Sequence, residues 1–265
     1  METEGHDIEE LTGFALDVVQ GAGEEVLGYS GRGTPRIKFD ESLVTEAELQ
    51  LREFFLDQLH SRFPEHQVFQ NSQTDNGYTH EKKRFMWVFD PLDGVANFQA
   101  GIPIWGISVA LLDNYWPIFG VFYMPATGDM FHARAGEKAF WKDREIHVSP
   151  QEEINDESLL LTYSRFHQHF KVNFPGKIRD FGCTGAHLCY VAMGRAEAAL
   201  ISKESFQDLA AVRVIVEAAG GKLYRMDGSE FFLNEYMDGQ RIDEALLVTS
   251  PDAFSQVRGY LAESY

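Results

Sequence analysis

Asp90 and Asp93 stand three residues apart, directly behind the apolar run Phe85-Met86-Trp87-Val88-Phe89. A run with no polar interruption predicts a strand buried on all sides. Pro91 has no N–H to give a central ladder, so the strand is predicted to end there and the chain to turn through Pro91-Leu92-Asp93-Gly94. Two carboxylates fixed at a strand exit suit a hard divalent cation. Mg²⁺ takes one or two carboxylates, keeps several waters and completes its shell with phosphate oxygens. The Leu92 carbonyl is a further oxygen in the same turn. Gly94, Val95, Ala96 and Asn97 follow, and small residues after a turn let backbone N–H groups approach an anion. Turn chemistry alone also accounts for an Asp-Pro-x-Asp-Gly sequence, so both a metal-binding turn and a plain turn stand open for this stretch.

Other residues able to do chemistry are scattered along the chain. Glu48 follows Thr45 by three, which reads as a capping box opening a helix and equally as a free carboxylate. Asp208 opens an apolar-periodic helix that runs through Val212, Ile215, Val216 and Ala219 to Gly220 and Gly221; it reads as an N-cap or as a third acidic ligand. Gln70, Asn71 and Asp75 lie in a polar stretch after the short strand expected at Val68 and Phe69. His167 and His169 fall in a polar helix or loop and read as solvated. Cys183 and Cys189 are the only cysteines, which excludes a disulfide framework and reads as two small buried hydrophobes.

These residues need elements to position them. Ile8, Leu11, Ala15, Val18, Val19, Ala22 and Val26 predict a helix over Asp7–Tyr29. A second helix carries Leu49, Phe54, Phe55, Leu56 and Leu59 on its expected apolar side. Strands are predicted at Ile104–Leu112 and Pro117–Met124, with a hairpin of Met130–Arg134 and Lys138–Trp141 about Gly136, together an antiparallel sheet with helices on one face. The acidic stretch Pro150–Asp156 suggests a boundary between an N-terminal unit, 1–150, and a C-terminal unit, 151–265. Beyond it come strands at Ser158–Thr162, Lys177–Phe181 and Ala196–Ile201, a helix over Ala186–Gly194, strands near Lys222–Tyr224 and Leu246–Thr249, and a final helix over Asp252–Ala262.

Across the 265 residues, 41 acidic against 23 basic side chains give a net charge of −18, which argues against nucleic acid or an anionic membrane as partner. No apolar run reaches the ~18 residues of a membrane span, and METEGHDIEE has no secretory pattern, so a cytoplasmic protein is expected.

The stretch at Asp90 resembles the first signature of the inositol monophosphatase family, a strand ending in D-P-[IL]-D-G followed by two hydroxyl residues and Asn. Asp208-Leu-Ala-Ala and, further on, Glu217-Ala-Ala-Gly-Gly221 resemble the second, W-D-x-A-A with E-A-G-G. The resemblance implies an α+β / α/β fold, a layered α-β-α-β-α sandwich, and a homodimer. It implies Mg²⁺ held by Gln70, Asp90, the Leu92 carbonyl, Asp93 and Asp208, with Glu48, Gln70, Asp90 and Asp93 as the catalytic set. Gly94, Val95, Ala96 and Asn97, with the turn Cys183-Thr184-Gly185, would face the substrate, a small phosphomonoester. The chain also departs from the family. Glu48 replaces an Asp that helps polarise the attacking water, Gln70 replaces a Glu ligand, Val95 replaces a hydroxyl residue, and Gln207 replaces Trp. Ile201 stands, by count from Asp208, where inositol-specific members carry a Glu, so inositol itself is not the expected substrate. Two functions follow: hydrolysis of a small sugar- or polyol-phosphate by metal-activated water, or a catalytically degraded homologue that binds metal and phosphate or a protein partner.

Overall fold

A computed structural model describes residues 7–32, 36–37, 43–44, 46–69, 84–150 and 153–263. In chain order the elements are α1 (Ile8–Leu27), β1 (Arg36–Ile37), β2 (Leu43–Val44), α2 (Glu46–Arg62), β3 (Gln67–Val68), β4 (Phe85–Asp93), α3 (Val95–Ala100), β5 (Gly106–Asp113), β6 (Trp116–Met124), β7 (Asp129–Arg134), β8 (Ala139–Trp141) and β9 (Arg144–Ile146). There follow β10 (Leu159–Thr162), β11 (Phe170–Val172), β12 (Lys177–Arg179), α4 (Thr184–Ala192), β13 (Ala198–Glu204), α5 (Phe206–Ala218), β14 (Lys222–Arg225), β15 (Ile242–Thr249), α6 (Phe254–Gly259) and β16 (Leu261–Glu263).

The seven-stranded sheet runs β3-β4-β5-β6-β7-β8-β9, antiparallel throughout except for the parallel pair β3–β4. A five-stranded sheet runs β12-β10-β13-β15-β14, with β12, β10 and β13 parallel and β15 antiparallel to both neighbours. Strand alternation sorts the side chains into layers. Phe85, Trp87 and Phe89 of β4 join Leu11, Phe14 and Val19 of α1 and Leu51, Phe55 and Leu59 of α2. Met86 and Val88 point the other way, into a cluster with α4, α5 and the residues Leu161, Ala199, Ile201 and Val248 of the second sheet. On that sheet's far face Leu160, Ala198, Leu200 and Leu247 meet Val257 of α6. The order is therefore helix, sheet, helix, sheet, helix, as the resemblance implied.

Helices thus cover both faces of the first sheet rather than one. The reason lies in β4 and β5, whose residues are buried on both sides for nearly their whole length. α5 lies so close on β6 that a Cβ on Gly120 would stand 2.2 Å from the Ala211 carbonyl oxygen. β4 also runs on through Pro91 instead of turning there. Its register jumps from Asp90↔Ser108 to Asp93↔Gly106, a bulge with one extra residue on β4. On its other side β3 reaches only Trp87, so Pro91 is asked for no ladder N–H.

Smaller differences follow local physics. On α2 the buried stripe is Ala47, Leu51, Phe55 and Leu59, four apart, while Leu49 is 46% exposed. The N-cap of α5 is Ser205, not Asp208. The last helix stops at Gly259, and the chain then pairs as β16 with β11. Thr45, Gln70, Asn71 and Asp75 lie outside the described residues. No helix among the described residues is long and apolar enough to cross a membrane.

Candidate active site

The bulge in β4 presents Asp90 and Asp93 at the edge of the first sheet, where the starts of α4 and α5 meet it. Asp90 is 8% exposed. Burial above all, then the charges of Asp208, Asp93 and Glu48, push its carboxyl well above the usual range. The Leu92 N–H donates to Asp90 Oδ1 at 3.3 Å and works the other way. Glu48 therefore faces the cluster from the first turn of α2.

Asp93 sits over the N-terminus of α4. Its Oδ2 accepts the Gly185 N–H at 2.5 Å and the Cys183 thiol at 3.3 Å; its Oδ1 accepts the Thr184 N–H at 3.3 Å. Burial raises this carboxyl to about 6 in spite of those donors, with Asp208 adding repulsion. Asp208 occupies the third position of α5 in a capping box. Its Oδ2 accepts the Ser205 N–H at 2.8 Å, and Ser205 Oγ accepts the Asp208 N–H at 3.4 Å. Its carboxyl too is raised by burial.

Two ties hold this geometry. Gln207 donates its side-chain N–H to the Phe89 carbonyl at 2.8 Å, fastening the start of α5 to β4 one residue before Asp90. Asn97, buried in α3, donates to the Ile104 and Phe181 carbonyls, both at 2.6 Å, and joins α3 to the loop before α4. Asn97 thus holds the shape of the turn with its own amide. Gly94 is required twice over. Its φ is +82°, and a Cβ would stand 3.0 Å from the Ile104 carbonyl oxygen and 3.1 Å from Cys183. Val95 packs its side chain on the α1/α2 core, and Ala96 is exposed. Cys183 and Cys189 are both free and buried, and burial raises both thiols.

One carboxylate was not anticipated. Glu204, 9% exposed, ends β13 and joins the cluster; Thr184 Oγ1 donates to its Oε1 at 2.9 Å. Burial, Asp208 and Asp93 push its carboxyl well up. Counting back from Asp208 led instead to Ile201, which is 1% exposed and buried between the sheets. The available signal was the polar run Ser202-Lys203-Glu204-Ser205, which separates the apolar strand from the helix that carries Asp208.

The donor chemistry suits a hard cation: these carboxylates are buried and raise one another's proton affinity. Among the described residues no group of three or more His, Cys, Asp or Glu is already disposed to hold a metal ion. Gln70, the remaining ligand named from the sequence, lies outside them, directly after β3 and Phe69.

The five-layer sandwich thus sets an aspartate pair at a strand bulge against an aspartate at a helix start. The chain belongs to the inositol monophosphatase family, whose model matches residues 7–245. Its relatives include a histidinol-phosphatase of Chlorobaculum parvum, 30% identical over 231 residues (83% of this chain, 88% of the relative). They also include inositol monophosphatase 1 of Solanum lycopersicum, 30% identical over 238 residues (84% and 87%). Among solved structures, an IMPase of Thermotoga maritima superposes with a TM-score of 0.78 at 23% identity, covering 95% of this chain and 96% of that one. An IMPase/NADP phosphatase complexed with Mg²⁺ and phosphate gives 0.78 at 19% identity, covering 95% of each chain.

Proposed function

We propose that this protein is a Mg²⁺-dependent phosphomonoesterase acting on a small sugar- or polyol-phosphate. The carrying observation is the convergence of Asp90, Asp93, Glu204 and Asp208 in one buried site, an arrangement unstable as anions until a cation enters. Asp90, Asp93 and Asp208, with the Leu92 carbonyl and Gln70, would hold Mg²⁺. When bound, the ion would neutralise phosphate charge and acidify water. The Gly94, Val95 and Ala96 N–H groups seat the phosphate at the start of α3, and Asn97 keeps that turn in shape. Glu48 takes the proton of the attacking water. Cys183, Thr184 and Gly185 line the side on which the rest of the substrate lies. We further propose a cytoplasmic homodimer, with no role for nucleic acid or membrane, in which units 1–150 and 151–265 contribute Asp90 with Asp93 and Asp208 with Glu204 respectively.

A second reading, a degraded homologue that binds metal and phosphate or a protein partner, is favoured by Val95. Its side chain is committed to the α1/α2 core and offers no hydroxyl to orient water. Phosphate release from a panel of phosphomonoesters, with and without Mg²⁺, separates the two. Turnover by the natural protein that Asp90→Asn abolishes supports the enzyme. Turnover only in a Gln70→Glu, Val95→Thr double variant supports the degraded homologue.

A further inference from the structure

A cavity of about 520 Å³ opens on the outer face of the second sheet, the face turned away from α5 and the acidic cluster. Its floor is apolar. Tyr163, Phe170, Met226 and Ala245 line it, and all four pack in the outer cluster with Val257 of α6. Most of the ions around it already have partners. Arg225 gives Nε to both oxygens of Glu244 at 3.2 Å and Nη2 to Glu235 at 2.9 Å. Glu263 faces Arg258 at 3.8 Å. Asp227 accepts the N–H and the hydroxyl of Ser229 at 2.8 and 2.6 Å. His169 Nδ1 and the Tyr163 hydroxyl share a hydrogen bond at 3.1 Å. One cation and one anion remain. Lys203 and Asp243 both line the cavity and are exposed, and neither side chain has an ion pair or hydrogen bond among the described residues.

The backbone presents these two charges on neighbouring strands. β13 pairs with β15 as far as Ser202↔Ala245, then resumes at Glu204↔Ile242, so Lys203 stands in a bulge opposite Asp243 and Glu244. Lys203 takes φ +65°, a conformation disfavoured for a residue with a Cβ. Arg241 holds it there, donating from Nε and Nη2 to the Lys203 carbonyl at 3.1 Å. The same bulge turns Glu204 inward and leaves Lys203 on the side of the cavity.

We propose that this cavity is a binding site for a small zwitterion with an apolar side chain, a free amino acid of about the size of phenylalanine. Its carboxylate takes the Lys203 ammonium, its α-ammonium takes the Asp243 carboxylate, and its side chain lies on the apolar floor. Each end is then a charge-assisted hydrogen bond, and the volume falls within the ~300–1,000 Å³ of small-molecule sites. The site goes beyond the phosphatase reading and does not depend on it.

Three probes with one ring and different charges test the proposal: L-phenylalanine, 3-phenylpropionate, which lacks the ammonium, and 2-phenylethylamine, which lacks the carboxylate. Each is titrated calorimetrically into the full chain. L-Phenylalanine is expected to bind at least about tenfold more tightly than either of the others. Lys203→Met should lower it to the level of 2-phenylethylamine and leave the amine's own affinity unchanged. Asp243→Asn should lower it to the level of 3-phenylpropionate and leave the acid's affinity unchanged. A merely distorted cavity would weaken all three probes alike in either variant. That result, no binding of L-phenylalanine, or equal affinity for the three probes in the natural protein overturns the proposal.

Discussion

Asp90, central to the proposed chemistry, carries two opposed predictions. Buried and repelled by Asp208, Asp93 and Glu48, it destabilises the metal-free fold. Asp90→Asn should therefore raise the metal-free melting temperature by about 4 °C or more while lowering phosphate release at least ~100-fold. Calorimetry and a phosphate assay on one preparation check both, and a variant that melts lower refutes the electrostatic account. His187 makes a pH prediction. It is buried, its Nε2 accepts the Phe181 N–H at 2.9 Å, and burial lowers its pKa to about 4. Between about 4 and the ordinary 6.5 the unfolded chain binds a proton that the native ring refuses. Stability from this residue is complete above pH 6.5 and falls as pH drops through that window, by about 3 kcal/mol in all. Asp93, raised to about 6, acts in the opposite sense over an overlapping range. The comparison is therefore urea unfolding at pH 4.5 and 7 for the natural protein beside His187→Gln. The aspartates of the bulge were legible because their relation is local, three residues of one strand. Glu204 was not, because its inward direction depends on a bulge, a left-handed Lys203 and an arginine 37 positions further on.

Among elements, α5 is the one on which the layers depend. It is buried nearly all round, as a helix between two sheets must be. Gly120→Ala would drive a Cβ into the Ala211 backbone, where no rotamer change relieves it. A loss of 2–3 kcal/mol or more in urea unfolding is expected, roughly the range for an overpacked core. A change below ~1 kcal/mol would mean that α5 can lift off β6. Gln207→Leu leaves the buried Phe89 carbonyl without its partner and should cost about 1–3 kcal/mol, with a further loss of activity as the start of α5 drifts from Asp90. Elements with strong local patterning, α1 and the strands from β5 to β8, could be read from the sequence nearly to their ends. Pro91 misled because its missing N–H forbids only a ladder bond, and the bulge asks for none there.

For the whole molecule, the five-layer order was foreseeable through the family resemblance, whereas periodicity alone led to a sheet with one bare face. The unbroken apolar run of β4 already implied covering on both sides. A net charge of −18 and an uncompensated acidic site act together on stability. Mg²⁺ at about 100 times its dissociation constant should stabilise the fold by ~2.7 kcal/mol. NaCl at equal ionic strength should give less, through screening alone. Identical shifts in melting temperature for the two salts at matched ionic strength would mean that no specific cation site exists.

The tie from Gln207 to Phe89 spans 118 positions of chain. Asp208 therefore joins Asp90 and Asp93 only after α5 has been synthesised and docked, and a nascent chain shorter than that carries no assembled site. Closing so long a loop comes late in folding. Mg²⁺ should thus leave the refolding rate unchanged and slow unfolding alone. In the cell, the ion would act as a latch on a finished fold and not as its template.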